Sequence, residues 1–255
     1  MHCSRGVARP THSFIASNLL LAVGVVALLS TVRTAVAQNT EMSAAVAKEE
    51  EIPHPFFTHM GLPEGVGNYN LRVLGIARRA DGGTEGDFAF HLETGLTPRI
   101  GLHVRNDRFL NNEKTEAMFQ FAAYVSKDGM SGFAPIIEFE LPTHSGAKRV
   151  STLVGFTSSL GTPRWAFNQV VHYDPREDMV DGSAALVFGA GRLFPVLELL
   201  GEGGKGRSTV VNALGGVKMR LRDWLIVGVG IEFPLTNARD FSLQPALGSD
   251  FEWKR

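Results

Sequence analysis

Two histidines and a methionine lie close together near the start of the chain, in the segment His54-Pro-Phe-Phe-Thr-His-Met60. Imidazole and thioether groups bind soft or borderline metal ions, so His54, His59 and Met60 could hold one. Metal sites usually add cysteine or carboxylate ligands at closer spacing, and none stands between the two histidines. The pattern therefore predicts no metal site, and the simpler interpretation is an N-terminal segment with Phe56 and Phe57 packed under the main domain.

A carboxylate, a histidine and a serine occur together at Glu140, His144 and Ser145. These residue types form a hydrolytic triad when the tertiary structure aligns them. The sequence contains neither a G-x-S-x-G nucleophile elbow nor an H-E-x-x-H pair. We therefore expect a protein that is not an enzyme, and a triad on strand ends remains an alternative for the structure to test.

Two further stretches resemble ligand-binding loops. The acidic residues Asp174, Glu177, Asp178 and Asp181 could collect a calcium ion, but their spacing differs from that of an EF-hand, which favours a solvated loop. The run Gly201–Gly206 lacks the G-x-x-x-x-G-K-[ST] spacing of a phosphate-binding loop, and no helix follows it. No cofactor is predicted.

The composition excludes several classes of protein. The 255 residues include 25 Lys and Arg against 26 Asp and Glu, for a formal charge of −1, so no basic excess indicates nucleic-acid binding. The single cysteine, Cys3, lies in a segment that we expect to be removed. The mature chain then has no disulfide, thiolate metal site or cysteine nucleophile.

The N-terminus has the three parts of a secretory signal. Arg5 and Arg9 precede the apolar run Leu19–Leu29, and Ala35-Val36-Ala37 supplies the small residues before a cleavage site. The apolar run is too short to cross about 30 Å of hydrocarbon as a helix. We predict that residues 1–37 are a cleavable signal peptide and that the protein is exported.

Beyond residue 67 the chain alternates apolar and polar residues, which is the period of β-strands. In the run Leu225–Phe233, every second residue is apolar, and the positions between them include two glycines and Glu232. We predict twelve strands, near residues 68–79, 87–95, 100–106, 116–126, 133–142, 149–158, 164–173, 183–191, 193–200, 208–221, 224–234 and 241–253.

Alternation alone fits a soluble barrel as well as a membrane barrel. Three observations favour the membrane barrel. The polar face mixes charge with glycine, as in Gly216, Lys218 and Arg220, which suits a hydrated interior. Aromatic residues lie near strand ends, as in interfacial girdles: Tyr69, Trp165, Tyr173, Trp224, Phe233, Phe241 and Trp253.

The third observation is that short and long links alternate. The tight links are Gly95–Arg99, Leu160–Arg164 and Arg222–Asp223, and the longer, more polar ones are Ala80–Gly86, Asp107–Thr115, Asp174–Gly182 and Gly201–Arg207. An open sheet edge in hydrocarbon leaves backbone groups unpaired, so such a sheet must close. We predict an all-β fold, a single antiparallel up-and-down transmembrane β-barrel of about 12 strands over residues 67–255, with eight or ten strands as alternatives. Residues 38–66 are predicted to be a flexible periplasmic N-terminal segment.

The C-terminal third resembles a known family. The segments Gly215–Leu221, Leu225–Phe233, Arg239–Phe241 and Phe251–Trp253 are similar to the end of transporter-like barrels of the Gram-negative outer membrane. The family most resembled is the one named for the meta-pathway of phenol degradation. The resemblance implies an outer-membrane barrel of about twelve strands that moves small, often hydrophobic, molecules.

In such a barrel the polar face of each strand lines the lumen. The expected lumen-lining residues are Arg72, His91, Glu93, His103, Arg105, Glu138, Glu140, His172, Glu198, Lys218, Arg220 and Glu232, with Arg78, Glu116, Gln120, Asn168, Asn212 and Gln244 on the same parity. Opposite charges that are buried together must pair or stay hydrated. They either neutralise one another in a filled lumen or form a polar conduit, and the sequence leaves both open.

We therefore expect a channel or transporter-like protein of the outer membrane. Its partners would be outer-membrane lipid, a small-molecule solute and, during biogenesis, the barrel assembly machinery, and not nucleic acid. Two alternatives remain: a soluble periplasmic β-barrel that binds an apolar ligand, and a barrel-embedded lipid-modifying enzyme.

Overall fold

The computed structural model describes residues 52–80, 83–106, 114–142, 149–189, 191–236 and 244–253. The predicted signal peptide lies outside these residues. The described part contains thirteen strands: β1 Tyr69–Ala80, β2 Gly83–Thr97, β3 Ile100–Asn106, β4 Lys114–Phe121, β5 Tyr124–Val125, β6 Gly132–Pro142, β7 Ser151–Thr162, β8 Trp165–Asp174, β9 Met179–Phe188, β10 Leu193–Gly204, β11 Val210–Arg222, β12 Leu225–Pro234 and β13 Gln244–Trp253. Within these residues no helix has the length and apolar character needed to cross a bilayer.

Twelve of these strands form a closed antiparallel barrel. Each strand pairs with its neighbours in the chain, and the first strand pairs with the last in the register Tyr69↔Trp253 to Ile76↔Ala246. The ring includes a direct pairing of β4 with β6, because β5 is only two residues long and pairs with the start of β6. The predicted fold, an all-β antiparallel barrel of about twelve strands, is confirmed.

Side chains alternate between the two faces of the barrel wall, as the two-residue period requires. In β10, Leu197 and Leu199 are exposed, while Val196 and Glu198 are buried. Large apolar residues are exposed on the outer face of strands around the barrel: Val73, Phe88, Ile137, Val154, Leu197, Leu199, Val229, Ile231 and Leu247. The apolar positions of the sequence therefore face outward, and most of the charged positions face the interior.

Two predicted tight turns have the same construction. The threonine hydroxyl accepts a hydrogen bond from the arginine amide two residues later, at 3.2 Å, both in Thr97-Pro98-Arg99 and in Thr162-Pro163-Arg164. Proline between them fixes φ and cannot extend the ladder, so each strand ends there.

Some predicted boundaries are wrong. The run 116–126 is divided into β4 and β5, and the expected long links at Ala80–Gly86 and Asp174–Gly182 lie largely within strands. At the second of these, Asp174 Oδ1 accepts hydrogen bonds from the amides of Arg176 and Glu177, and Asp178 has a positive φ of 50°. This compact turn allows β9 to begin at Met179, because polar side chains do not interrupt a backbone ladder.

Residues 52–64, which we call the lumen segment, lie inside the barrel. Phe56 and Thr58 are fully buried, and His59 is 1% exposed. The segment bonds to inward side chains of strands on all sides of the barrel. This placement differs from the flexible periplasmic segment expected for these residues, because their backbone polar groups and both phenylalanines find partners on the inner wall.

Candidate functional site in the barrel lumen

A single carboxylate on β10 binds the backbone of the lumen segment. Glu198 accepts hydrogen bonds from the amides of Phe56, Phe57 (3.0 Å) and Thr58 (2.9 Å), and from the Thr58 hydroxyl (3.0 Å). Bonds to an ionised acceptor are stronger than neutral ones. The buried charge of Glu198 is thus compensated by consecutive N–H groups of the segment.

Two cations bind the carbonyl groups of the same turn. Arg72 on β1 donates to the carbonyl oxygens of Pro55 (2.7 Å), Phe56 (3.2 Å) and Thr58 (3.3 Å), and it also bonds Glu93 on β2. Lys218 on β11 donates to the Pro55 carbonyl at 3.0 Å.

Lys218 also bonds Asp250 on β13 at 2.6 Å, and its ammonium lies 4.8 Å from the centre of the Phe56 ring. Arg72 and Lys218 therefore each have a carboxylate partner and backbone carbonyl partners.

An apolar layer surrounds the two phenylalanines. Phe56 and Phe57 belong to a buried cluster with Leu74, Ile76, Ala89, Val187, Phe194, Val196 and Leu214. The Phe56 ring fits against glycines of β11 and β12: a Cβ atom at Gly216 would lie 2.7 Å from the ring, and one at Gly228 would lie 3.0 Å from it. The interior is therefore not uniformly polar.

Polar side chains of β4, β7 and β8 bind the next part of the segment. Gln120 donates to the carbonyl of Met60 at 3.0 Å, and Thr157 donates to that of Gly61 at 3.1 Å. The amide of Gly61 donates to Asn168 Oδ1 at 3.0 Å. The inner wall thus binds the segment by its backbone over residues 55–61.

Histidines and carboxylates cluster beside the segment. His59 Nδ1 lies 3.2 Å from His103 Nδ1 on β3 and 3.9 Å from Glu93 Oε1, and His103 Nδ1 lies 3.6 Å from Glu93 Oε2. His54 lies between two carboxylates, with Nε2 2.7 Å from Glu64 and Nδ1 3.1 Å from Glu93. Both of the histidines named in the sequence thus contact this cluster.

The two histidines of the segment have opposite electrostatic surroundings. Burial lowers the pKa of His54, but the carboxylates of Glu93 and Glu64 outweigh burial and raise that pKa to about 10. Burial and the nearby Arg105 guanidinium lower the pKa of His59 well below its ordinary value. The pKa values of the two histidines are therefore shifted in opposite directions.

The structure places the twelve expected lumen residues on the inner side of the wall. Nine are buried: Arg72, His91, Glu93, His103, Glu138, His172, Glu198, Lys218 and Glu232. Arg105, Glu140 and Arg220 are partly buried. Several pair across strands: Arg105 with Glu116, Lys114 with Glu140, His172 with Glu138 and Asp181, Arg220 with Glu252, and Asn212 with Glu232. The side chains of Arg78 and Gln244 lie outside the described ones.

The other sequence motifs have structural roles or cannot be placed. Glu177 pairs with Arg207 at 2.7 Å, and Asp178 accepts a bond from Tyr173, so these acids bind neighbouring side chains. The run Gly201–Gly206 ends β10 and begins the turn that follows. His144 and Ser145 lie outside the described residues.

Sequence reasoning missed the residues that hold the lumen segment by its backbone. Thr157 faces inward from β7, and Thr58 and Gly61 stand in the segment predicted to be flexible. The available signal was Phe56-Phe57 within an otherwise polar stretch, opposite strands whose inner faces carry glycine.

Comparison with known proteins supports the fold. The fold is that of the twelve-stranded antiparallel β-barrel. No protein-family profile and no curated protein matches the chain. Among solved structures, the chain is similar to the NanC porin, with a TM-score of 0.55 and 9% identity over 72% of this chain and 100% of that one. It is also similar to an outer membrane channel from Pseudomonas putida F1, with a TM-score of 0.54 and 11% identity over 83% of this chain and 100% of that one. At these identities the likeness concerns the fold alone.

Proposed function

We propose that this protein is an outer-membrane β-barrel that conducts small solutes, and that the lumen segment restricts its conduit. The observation that carries the proposal is the outer surface of the barrel. Leu197 is 57% exposed and Leu247 is 67% exposed, and similar residues occupy the same face on other strands. Soluble proteins rarely expose a continuous apolar surface of this extent, whereas lipid tails match it.

The closed ring of strands supports the same proposal. With β4 paired to β6 and β1 paired to β13, no barrel strand presents an open edge to lipid among the described residues. A membrane-spanning sheet requires this closure. The predicted signal peptide accounts for export, and the membrane lipid and the barrel assembly machinery are the partners that this location implies.

The restriction is supported by the contacts of the lumen segment. Glu198, Arg72 and Lys218 bind its backbone from three strands, and the Phe56 ring fills space beside Gly216. The segment thus occupies the cross-section that a solute would need. We infer that solutes pass by a narrow route or after the segment moves, and the resemblance to the phenol-degradation family favours small hydrophobic ones.

Bilayer recording with a deletion variant tests the proposal. The full protein and a variant that lacks residues 52–64 are folded in detergent and inserted into planar bilayers. We expect small conductance steps from the full protein and steps several times larger from the variant. Heat-modifiable gel mobility shows that each has folded. A folded, membrane-inserted variant that conducts no more ions than the full protein would refute the restriction.

The two alternatives have less support. A soluble barrel that binds an apolar ligand needs its apolar face turned inward, and it would remain in the osmotic-shock supernatant. A lipid-modifying enzyme would require Glu140 and the pair His144-Ser145 to act together; unaltered membrane lipid after His144→Ala in a complemented deletion strain would remove that option.

A further inference from the structure

The ring nitrogens of His59 and His103 face each other inside the barrel. His59 belongs to the lumen segment and His103 to β3, and both are 1% exposed. Their Nδ1 atoms are 3.2 Å apart. Glu93 on β2 is fully buried and lies beside both rings. Two imidazoles and a carboxylate are thus brought together from three separate parts of the chain.

A hydrogen-bond network orients the His103 ring. The amide nitrogen of Gln120 donates to Met60 and Thr157, so its oxygen, Oε1, is left to accept. That oxygen lies 3.1 Å from His103 Nε2, which must therefore carry the proton. In the neutral ring the Nδ1 atom of His103 is then unprotonated, and this atom faces His59 and Glu93. Histidines that bind metals are commonly oriented in this way, with the second ring nitrogen bonded to an oxygen.

The separations match those between ligands of one metal ion. With metal–nitrogen and metal–oxygen bonds of about 2.0–2.2 Å, two ligands at the tetrahedral angle are about 3.3 Å apart. The two nitrogens, at 3.2 Å, already satisfy this. Glu93 Oε2 lies 3.6 Å from His103 Nδ1, and Glu93 Oε1 lies 3.9 Å from His59 Nδ1, so the carboxylate has to move closer to the rings to complete the ligand set.

Charged side chains surround the two imidazoles. Arg72 bonds Glu93 Oε1, and Oε2 lies 3.1 Å from His54 Nδ1 and 3.6 Å from His103 Nδ1. Arg105 is engaged with Glu116 on β4. His54 lies between Glu64 and Glu93, so it orients the carboxylate rather than offering a free nitrogen. The Nε2 atom of His59 makes no hydrogen bond to a described residue, and the ring lies against those of His91 and His172.

We propose that His59, His103 and Glu93 form a binding site for one divalent transition-metal ion of the zinc type. Two imidazole nitrogens and one carboxylate oxygen suit zinc and cobalt, and the fourth position is left for water. The ion ties the lumen segment to β2 and β3. The site does not depend on conduction through the barrel, so it can exist even if the proposed function is wrong.

Metal titration of the intact protein tests this site. The full chain, purified in detergent without a polyhistidine tag, is titrated with Co²⁺ followed by visible absorption, and with Zn²⁺ followed by dialysis and elemental analysis. We expect one ion per folded chain and absorption of four-coordinate cobalt that Zn²⁺ abolishes. The variants His59→Asn and His103→Asn should each bind at least about tenfold more weakly.

A matched variant removes a histidine outside the site. His172 on β8 is equally buried and bonds Glu138 and Asp181, so His172→Asn should retain the ion. Heat-modifiable mobility confirms folding of every variant. If the folded full chain does not bind one ion, the proposal is overturned. The close approach of the two imidazoles is then only a hydrogen bond between them. Unchanged binding by both site variants, or an equal loss in His172→Asn, places the ion elsewhere and also overturns it.

Discussion

At the scale of single residues, the position of the lumen segment depends on buried charged side chains that its backbone compensates. Burying an ion without compensation costs several kcal/mol, and removing one partner of a compensated ion exposes that cost. Glu198 is 2% exposed and is compensated mainly by N–H groups of Phe56, Phe57 and Thr58. Binding of the lumen segment therefore needs both the acceptor oxygens and the negative charge of Glu198.

Replacing this carboxylate should release the segment. In Glu198→Gln the side-chain amide turns N–H groups toward backbone N–H groups, and each lost charge-assisted bond is worth about 1.5–3 kcal/mol. We expect cleavage after Phe56 or Phe57 by a chymotrypsin-type protease to become at least about tenfold faster, measured by mass spectrometry on the folded barrel. Glu202→Gln, an exposed position on the same strand, is the control. Equal protection of both variants would contradict the role of Glu198.

At the scale of elements, the lumen segment fits inside the barrel because its backbone at Gly61 lies directly against the backbone of β7. A Cβ atom at Gly61 would lie 2.1 Å from the backbone carbon of Ser158 on β7, closer than atoms can approach. Neither chain can move aside easily, since the amide of Gly61 is bonded to Asn168 and β7 is paired on both sides. The inner wall thus selects glycine at this point of the segment.

Gly61→Ala should therefore displace the segment without opening the barrel. Overpacking of this kind typically costs about 1–3 kcal/mol. We expect faster hydrogen exchange, by mass spectrometry, in peptides covering residues 52–64 and unchanged exchange in the strands. Gly75→Ala on the outer face of β1, where the nearest atom to a Cβ would be 3.8 Å away, should change neither. Unchanged exchange in Gly61→Ala would show that the segment is not packed against β7.

At the scale of the whole molecule, the barrel is the inverse of a soluble protein. The interior carries paired charges and an apolar layer around Phe56, while leucine and valine cover the outside. Exposing this surface to water costs about 25 cal/mol for each Å², so an apolar environment stabilises the barrel.

An outward charge tests this arrangement directly. Leu197 lies within β10 and is 57% exposed, so Leu197→Arg should lower the stability of the barrel in phospholipid vesicles by about 2–4 kcal/mol if it faces the bilayer midplane. Leu235→Arg, just beyond the end of β12 and 52% exposed, should change it little. Equilibrium refolding in urea measures both. A similar small effect at both positions would count against a lipid-facing wall.

The sequence alone predicted an antiparallel barrel of about twelve strands, because a two-residue period indicates which face of a strand each side chain takes. Leu225–Phe233 shows this clearly, and the repeated Thr-Pro-Arg turns indicated two strand ends. The boundary of β9 was missed because a backbone ladder continues through polar residues, so side-chain pattern gives no signal for it.

The interior was decided only by the tertiary structure. The strand period placed Glu93, His103 and Glu198 on the inner wall, but it could not show that His59 lies beside the first two or that Phe56 bonds the third. Residues 52–64 have no repeating pattern, so nothing local fixes their position. They are placed by contacts with strands far away in sequence, and those contacts exist only once the ring of strands has closed around them.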